Sequence, residues 1–408
     1  MRSSKAIPPL TTPRALRESL VRVIARTKMS KVRSLRVLGV RVNQRGDWLF
    51  VRLETDAGQV GYGEVSHSGD DRAVARLLTE RVAPFLVGRA LDTVGTLAGA
   101  LERELVSSPA SLRVRRTALS GAEHALWDVF ARQLDVPVHA LLGGALRSTV
   151  PLYANVNRAI VDRSPQGFAI AANRAVSDGF RSVKIAPFDG LSWQEGAPYE
   201  QERLLSLGIA RTEAVRAAIG SGVGLMVDCH GRFNRALALE VSRRLEPFNV
   251  AWLEDLIWRA DDPSALAAIA PLISQPLAGG EEELERRGIW QLLASSSVST
   301  ILPDVKHVGG LAEAKRIAEL AEVARVWVAP HNPAGPIATR VSAELACTLP
   351  NLSHLEFAWG EADFRGALLD PPERVVDGQL ELPSGPGFGV TLNEEVLSRH
   401  GFDPTTKV

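Results

Sequence analysis

The chain has 408 residues, 45% of them hydrophobic and 23% charged, enough for two domains or for one large barrel with an addition. Lys plus Arg and Asp plus Glu both number 47, so no whole-chain charge points to nucleic acid or to a membrane surface. Cys229 and Cys347 are the only cysteines; that excludes a disulfide framework and fits a reducing cytoplasm, and no apolar run is long enough to span a bilayer.

Residues 1–30 differ from the rest. They are rich in Arg, Lys, Ser and Pro, and Glu18 is their only acid. That composition suits a transit peptide, and equally an unstructured tail or a start codon upstream of a true first residue at Met29. The stretch is read as a basic, disordered extension outside the fold.

Residues 31–145 read as a small α+β domain. V-L-G-V-R-V and W-L-F-V-R-L-E-T are β-rich runs, D-A-G-Q is a turn, and V-G-Y-G-E-V follows. From about residue 71 to 142 the pattern turns helical. A-V-A-R-L-L-T-E-R-V and A-L-S-G-A-E-H-A-L-W-D-V-F-A-R-Q-L carry apolar residues at three- and four-residue spacing. L-L-G-G closes this part.

Residues 146–360 have another character. Short apolar runs recur at V-P-L-Y-A-N-V, S-V-K-I-A, G-L-M-V-D, A-W-L-E, L-A-G-G, T-I-L-P-D, V-W-V-A-P and H-L-E-F. Helical stretches separate them, among them Q-G-F-A-I-A-A-N-R-A-V, R-A-L-A-L-E-V-S-R-R-L and L-A-E-A-K-R-I-A-E-L-A-E-V-A. Eight strands alternating with helices predict a (β/α)8 barrel. The longest strand-to-helix loop follows S-V-K-I-A, on the face where barrel loops carry function. Residues 361–408 are rich in Pro and Gly and are expected to pack back on the first domain.

Polar groups fall at successive strand ends: Asp228, Glu254, Glu281, Asp304 and His331, each about one strand–helix unit after the last. In a barrel these ends open at one mouth. Three carboxylates without cysteine or clustered histidine are hard oxygen ligands and suit Mg²⁺. Each acid alone is commonly a solvated strand end or a helix cap; their spacing carries the metal reading. The register stays open, because Asp255 adjoins Glu254 and acids occupy 281–283. Lys184, on the preceding strand, would hold negative charge in a site for a carboxylate, or serve structure. Asp304 and His331 read as a dyad in which the carboxylate fixes the imidazole tautomer. In V-D-C-H-G-R-F, strand alternation would turn Asp228 and His230 to one face.

These residues, with G-Y-G-E, A-L-W-D, L-L-G-G, I-L-P-D-V-K-H-V-G-G, A-P-H-N-P-A-G-P-I-A and H-L-E-F, make the chain resemble the enolase superfamily in its mandelate racemase/muconate lactonizing enzyme branch. The likeness covers about residues 32–400. It implies an α/β fold, a modified (β/α)7β TIM-like barrel under an N-terminal α+β capping domain. It implies Mg²⁺ on Asp228, Glu254 and Glu281, stabilising an enediolate formed by removing the proton α to a carboxylate. Members close to mandelate racemase carry K-x-K on the second strand. Here the positions are Lys184, Ile185 and Ala186, so that lysine base is absent. A histidine two residues after the first metal ligand looks instead like the galactonate dehydratase type.

The resemblance therefore implies a cytoplasmic, Mg²⁺-dependent sugar acid dehydratase, with a small-molecule carboxylate as partner and a homo-oligomeric state. His331, oriented by Asp304, would remove the α-proton, and His230 would protonate the departing 3-hydroxyl. Lys184 and Glu356 would meet the substrate carboxylate and enediolate. Trp48 and His67, in loops of the capping domain, would select the substrate. A racemase, epimerase or cycloisomerase sharing the same intermediate is the alternative. A barrel that has lost catalysis and serves as a scaffold is a third reading, against which the intact ligand set and dyad speak.

Overall fold

The computed structural model describes residues 29–258, 262 and 264–405. All but the last two residues of the basic extension lie outside them. Strands β1 (Val32–Asn43), β2 (Gly46–Thr55) and β3 (Val60–Glu64) form an antiparallel meander. Among the helices that follow, the longest are α1 (Asp71–Leu77), α2 (Val94–Val106) and α3 (Leu112–Gln133). Each starts at a side-chain cap, Asp70, Thr93 and Ser111, whose oxygen accepts an otherwise orphaned backbone N–H. Leu49, Val51 and Leu53 of β2 share a buried core with Ala118, Ala122, Leu126 and Val129 of α3. The G-Y-G-E glycines let α3 come this close: a Cβ on Gly63 would run into the carbonyl oxygen of Gly121.

The barrel strands are β4 (Thr149–Asn155), β5 (Ser182–Ile185), β6 (Gly224–Asp228), β7 (Trp252–Glu254), β8 (Leu277–Gly279), β9 (Thr300–Ile301), β10 (Trp327–Val328) and β11 (Leu355–Ala358). They are parallel and hydrogen-bonded in chain order from β4 to β10, with β11 pairing back onto β4. The last seam closes through Ser353 N–H to the Val328 carbonyl at 2.8 Å and Glu356 N–H to the Pro330 carbonyl at 3.3 Å. Seven helices connect these strands: α4 (Pro165–Ser177), α5 (Pro198–Ile219), α6 (Arg235–Leu245), α7 (Ala265–Ile269), α8 (Arg286–Ala294), α9 (Leu311–Val323) and α10 (Pro336–Ala346). The last strand is not followed by an eighth barrel helix, since the α-helix Glu394–His400 further on packs with β1 of the capping domain, so the barrel is (β/α)7β. The periodicity reading lacked α10, every residue of which is buried.

Beyond β11 the chain returns along the outside. β12 (Gln379–Glu381) pairs with β4, Phe388 N–H donates to Asp128 of α3 at 2.8 Å, and β13 (Gly401–Phe402) pairs with β1. Among the described residues no helix is long and apolar enough to cross a membrane.

Candidate active site

Inside the barrel, Tyr153, Met226, Trp252, Ala278, Leu302 and Ala329 form a buried apolar floor. Side chains two residues further along a strand or its extension face the same way. That rule puts Asn155, Asp228, Glu254, Asp304 and His331 in one polar layer above the floor. Asp228 and Glu254 are direct cross-strand partners, and Lys184 pairs in register with Asn155.

Lys184 is the hub of one half of this layer. Its ammonium lies 2.6 Å from Glu254 Oε1, 3.0 Å from Glu356 Oε1 and 4.0 Å from Asp228 Oδ2, and it is 1% exposed. Burial lowers its pKa, but the surrounding carboxylates outweigh that and hold it well above the ordinary value. Glu254 takes a second donor from Trp252 Nε1 at 2.9 Å, and Glu356 takes Asn155 Nδ2 at 2.6 Å and the Asn332 N–H at 2.8 Å. Burial opposes ionisation of Glu356, yet Lys184, His331 and these donors bring its pKa down to about 2.

The remaining acids are short of positive charge. Burial, then neighbouring carboxylates, push Glu281 well above the usual range and raise Asp255 to about 8. Glu254 is also raised to about 8, chiefly by burial and against the pull of Lys184. Asp255 Oδ2 is buried without a hydrogen-bond partner; Glu281 Oε2 lies 3.1 Å from His331 Nε2 without hydrogen-bond alignment. Among the described residues no three His, Cys, Asp or Glu side chains are arranged as a finished metal site. The donor set nevertheless fits a hard divalent cation: converging carboxylate oxygens, buried, with unspent acceptor capacity and one ammonium among them.

The dyad has the geometry its spacing suggested. His331 Nδ1 lies 2.8 Å from Asp304 Oδ2. Asp304 is fully buried and also receives Lys306 Nζ at 2.5 Å and the Lys306 N–H at 2.8 Å, with His307 Nε2 at 3.7 Å. Burial raises its pKa, but Lys306, His307 and His331 together hold it well below the ordinary value. Asp304 therefore stays anionic and fixes the ring, leaving His331 Nε2 to face Glu281.

His230 reaches the site by a different route from strand alternation. β6 ends at Asp228, and His230 adopts a left-handed φ of 48°. Its N–H donates to Asp228 Oδ1 at 3.0 Å, and its Nε2 comes within 3.2 Å of Asp228 Oδ2. The next residue, Gly231, is also left-handed, and a Cβ there would strike the Trp258 indole. The side chain of His230 is 44% exposed, and the strand leading to it, β6, lies four strands from β10, which leads to His331.

The two residues expected from the capping loops stand outside the strand-end layer itself, though His67 lies within electrostatic reach of Asp304 and His331. His67 stacks under the β1–β2 turn and contacts Arg158 Nη2 at 3.0 Å and Glu361 Oε1 at 3.8 Å; burial and Arg158 hold its pKa well below the ordinary value. Trp48 has no exposed surface and packs edge-on against Phe364 at 5.9 Å. Sequence reasoning passed over Lys306, His307, Asn155, Asn332 and Arg158. Lys306, His307, Asn332 and Asn155 stood in the quoted stretches I-L-P-D-V-K-H-V-G-G, A-P-H-N-P-A-G-P-I-A and V-P-L-Y-A-N-V without a role; Arg158 carried no local signal.

The enolase C-terminal domain-like family model matches residues 167–396, and the N-terminal domain model of mandelate racemase/muconate lactonizing enzymes matches residues 21–143. The chain is 31% identical to a D-xylonate dehydratase of Haloferax volcanii, covering 88% of this chain and 86% of the relative. It is 32% identical to a D-gluconate dehydratase of Thermoproteus tenax, covering 88% and 70%. The crystal structure of a mandelate racemase/muconate lactonizing enzyme-like protein from Rubrobacter xylanophilus superposes with a TM-score of 0.83 at 29% identity, over 92% of this chain and 98% of that one.

Proposed function

The chain belongs to the mandelate racemase/muconate lactonizing enzyme family of the enolase superfamily, and from that premise we propose that it dehydrates a sugar acid of the aldonate kind to a 2-keto-3-deoxy acid. The observation that carries the reading is a pair of histidines flanking one acidic cluster: His331 on Asp304 and against Glu281, His230 on Asp228.

The roles follow from the groups each side chain touches. His331, its tautomer fixed by Asp304, offers Nε2 to the proton on C2. Asp228, Glu254 and Glu281 would hold Mg²⁺, which supplies Lewis-acid charge to the substrate carboxylate, as in enolase-superfamily sites generally. Lys184 sets the charge of the layer beside that carboxylate, and Glu356 holds Lys184 and the Asn332 backbone in place. His230, half-exposed at the mouth, gives a proton to the 3-hydroxyl. The C3–O bond breaks with loss of water, and the enol that remains takes a proton at C3 to become the ketone. His230 ends the step without the proton His331 has gained, and exchange with solvent resets both.

The test is a screen of the purified protein with Mg²⁺ against D-xylonate, D-gluconate, D-galactonate and their stereoisomers, reading keto product with semicarbazide. Product from one stereochemical set, abolished by chelation with EDTA and restored by Mg²⁺, is the expected result. Solvent deuterium entering C2 with no keto product would replace dehydration with racemisation. No product and no exchange with any acid would end the reading.

A further inference from the structure

Two buried glutamates of the capping domain end on the barrel, and neither has a hydrogen bond to the strand-end acids or histidines. Glu64 closes β3 and has no exposed surface. Its Oε1 accepts the Gly335 N–H at 2.6 Å and its Oε2 the Ala338 N–H at 2.7 Å. Glu123, 2% exposed on α3, does the same one helix earlier. Its Oε2 accepts the Leu311 N–H at 2.8 Å and its Oε1 the Ala312 N–H at 3.0 Å. These donors are the first-turn N–H groups of α10 and α9, which a helix cannot satisfy itself.

A barrel helix ordinarily supplies its own cap from a Ser, Thr, Asp or Asn at the N-cap position. Here both N-cap residues are glycine, Gly310 for α9 and Gly335 for α10. The missing side chains make room for the foreign carboxylates. A Cβ on Gly335 would lie 2.9 and 3.0 Å from the two Glu64 oxygens, and one on Gly310 would strike the Glu123 carboxylate. α9 is the helix entered from Asp304, and α10 the helix entered from His331. Each half of the dyad thus sits on a loop whose far end is anchored by the other domain. The same face of α3 holds the loop after Asp304 at three more points: Thr117 Oγ1 lies 2.9 Å from His307 Nδ1, Ser120 Oγ accepts the Gly309 N–H at 3.0 Å, and His124 Nε2 meets the Val305 carbonyl at 3.1 Å.

We infer that Glu64 and Glu123 are positioning residues, which cap α10 and α9 across the domain seam and so set the Asp304–His331 geometry on which proton removal depends. The inference rests on the reading of that dyad given above. It makes seating of the cap a condition of catalysis, since displaced catalytic groups lose rate steeply.

Gly335 offers a test by rescue. Its φ of −71° and ψ of 179° suit a serine N-cap, whereas Gly310, at φ 108°, does not admit one. Glu64→Ala empties the space a Gly335→Ser side chain needs, apart from a shift of a few tenths of an ångström by Trp48, 3.0 Å away. Two readouts are taken on folded protein. One is kcat and KM on whichever of D-xylonate, D-gluconate or D-galactonate is turned over, with the isotope effect from deuterium at C2. The other needs no substrate: the downfield proton signal of His331 Nδ1–H held by Asp304. Glu64→Ala is expected to lower kcat at least ten-fold with KM within about two-fold, to raise the isotope effect and to broaden the His331 signal. Glu64→Ala with Gly335→Ser is expected to regain most of both. Unchanged kcat and signal in Glu64→Ala, or a loss that Gly335→Ser does not relieve in a folded protein, overturns the inference. Should Glu64→Ala fail to fold, Glu64→Gln, which keeps one acceptor, is read instead, and an unchanged His331 signal overturns it equally. His331→Asn separates the two readings: if it still exchanges the C2 proton, the dyad assignment itself falls, whereas an inactive His331→Asn beside a fully active Glu64→Ala removes only the positioning role.

Discussion

At the scale of single residues, the strand-end acids were legible because each closes a short apolar run, and a run that ends in a carboxylate marks where buried strand meets open mouth. His230 was legible as a neighbour of Asp228, but the route was not. Alternation assumes an extended backbone, and the chain leaves β6 at Asp228 and turns left-handed. The Asp228 carboxylate drives that turn by accepting the His230 N–H, a local bond typical of Asp that competes with strand geometry. Lys306 was illegible because a buried lysine is rare and nothing in D-V-K tells that its ammonium folds back on the aspartate two residues before it.

His230 also carries a prediction at this scale. Asparagine tolerates the left-handed conformation, so His230→Asn keeps the turn and removes the acid. Elimination is expected to fall by about 10²- to 10⁴-fold, the usual worth of a general acid. Exchange of the C2 proton with solvent deuterium, which needs only His331, is expected to persist. The check is parallel measurement of keto product and of deuterium incorporation by NMR. Product formation at the wild-type rate would take His230 out of the reaction.

At the scale of elements, six of the seven strand–helix units of the barrel announced themselves by an apolar run and a helical stretch. α10 did not. Its polar residues Thr339, Arg340, Ser342 and Glu344 are buried along with its apolar ones, so the pattern of P-I-A-T-R-V-S-A-E-L-A marks no solvent-facing side. Its start was hidden too, since the cap lies on Glu64, 271 positions away in sequence. The close approach of β3 to α3 is the opposite case, spelled out by two glycines in G-Y-G-E. Gly63→Ala places a methyl against the Gly121 carbonyl, which is backbone and cannot swing aside. Overpacking of that kind costs about 1–3 kcal/mol. Urea denaturation is expected to show a loss in that range, and a midpoint equal to wild type would mean that the sheet and helix part without cost.

At the scale of the whole molecule, cap and barrel share apolar core, with Val40, Phe50 and Tyr62 in one cluster with Val150 and Leu152 of β4, but the seam between α3 and the loop after Asp304 is polar, and its histidines give it a pH dependence. His124 is fully buried, and its Nε2 meets the Val305 carbonyl at 3.1 Å while Nδ1 has no partner. Burial pushes its pKa down to about 3. His307 is displaced in the same direction, again by burial first. In the unfolded chain a histidine titrates near 6.5, so below that pH the unfolded state binds more protons than the folded state, and stability must fall as pH falls. The contribution is complete above about pH 6.5 and is lost progressively down to about pH 3. Each pH unit in that window costs about 1.4 kcal/mol per such histidine, so His124 alone withdraws about 3 kcal/mol between pH 7 and pH 4.5. Glu123, raised to about 7 by burial, works with the opposite sign, which is why the total acid response does not isolate the histidine. A difference does. His124→Gln keeps an N–H for the Val305 carbonyl and has no proton to gain. Denaturant midpoints of wild type and His124→Gln at pH 7 and pH 4.5 are expected to show wild type losing more by about 3 kcal/mol. Equal losses would place the acid sensitivity elsewhere and leave the seam indifferent to pH.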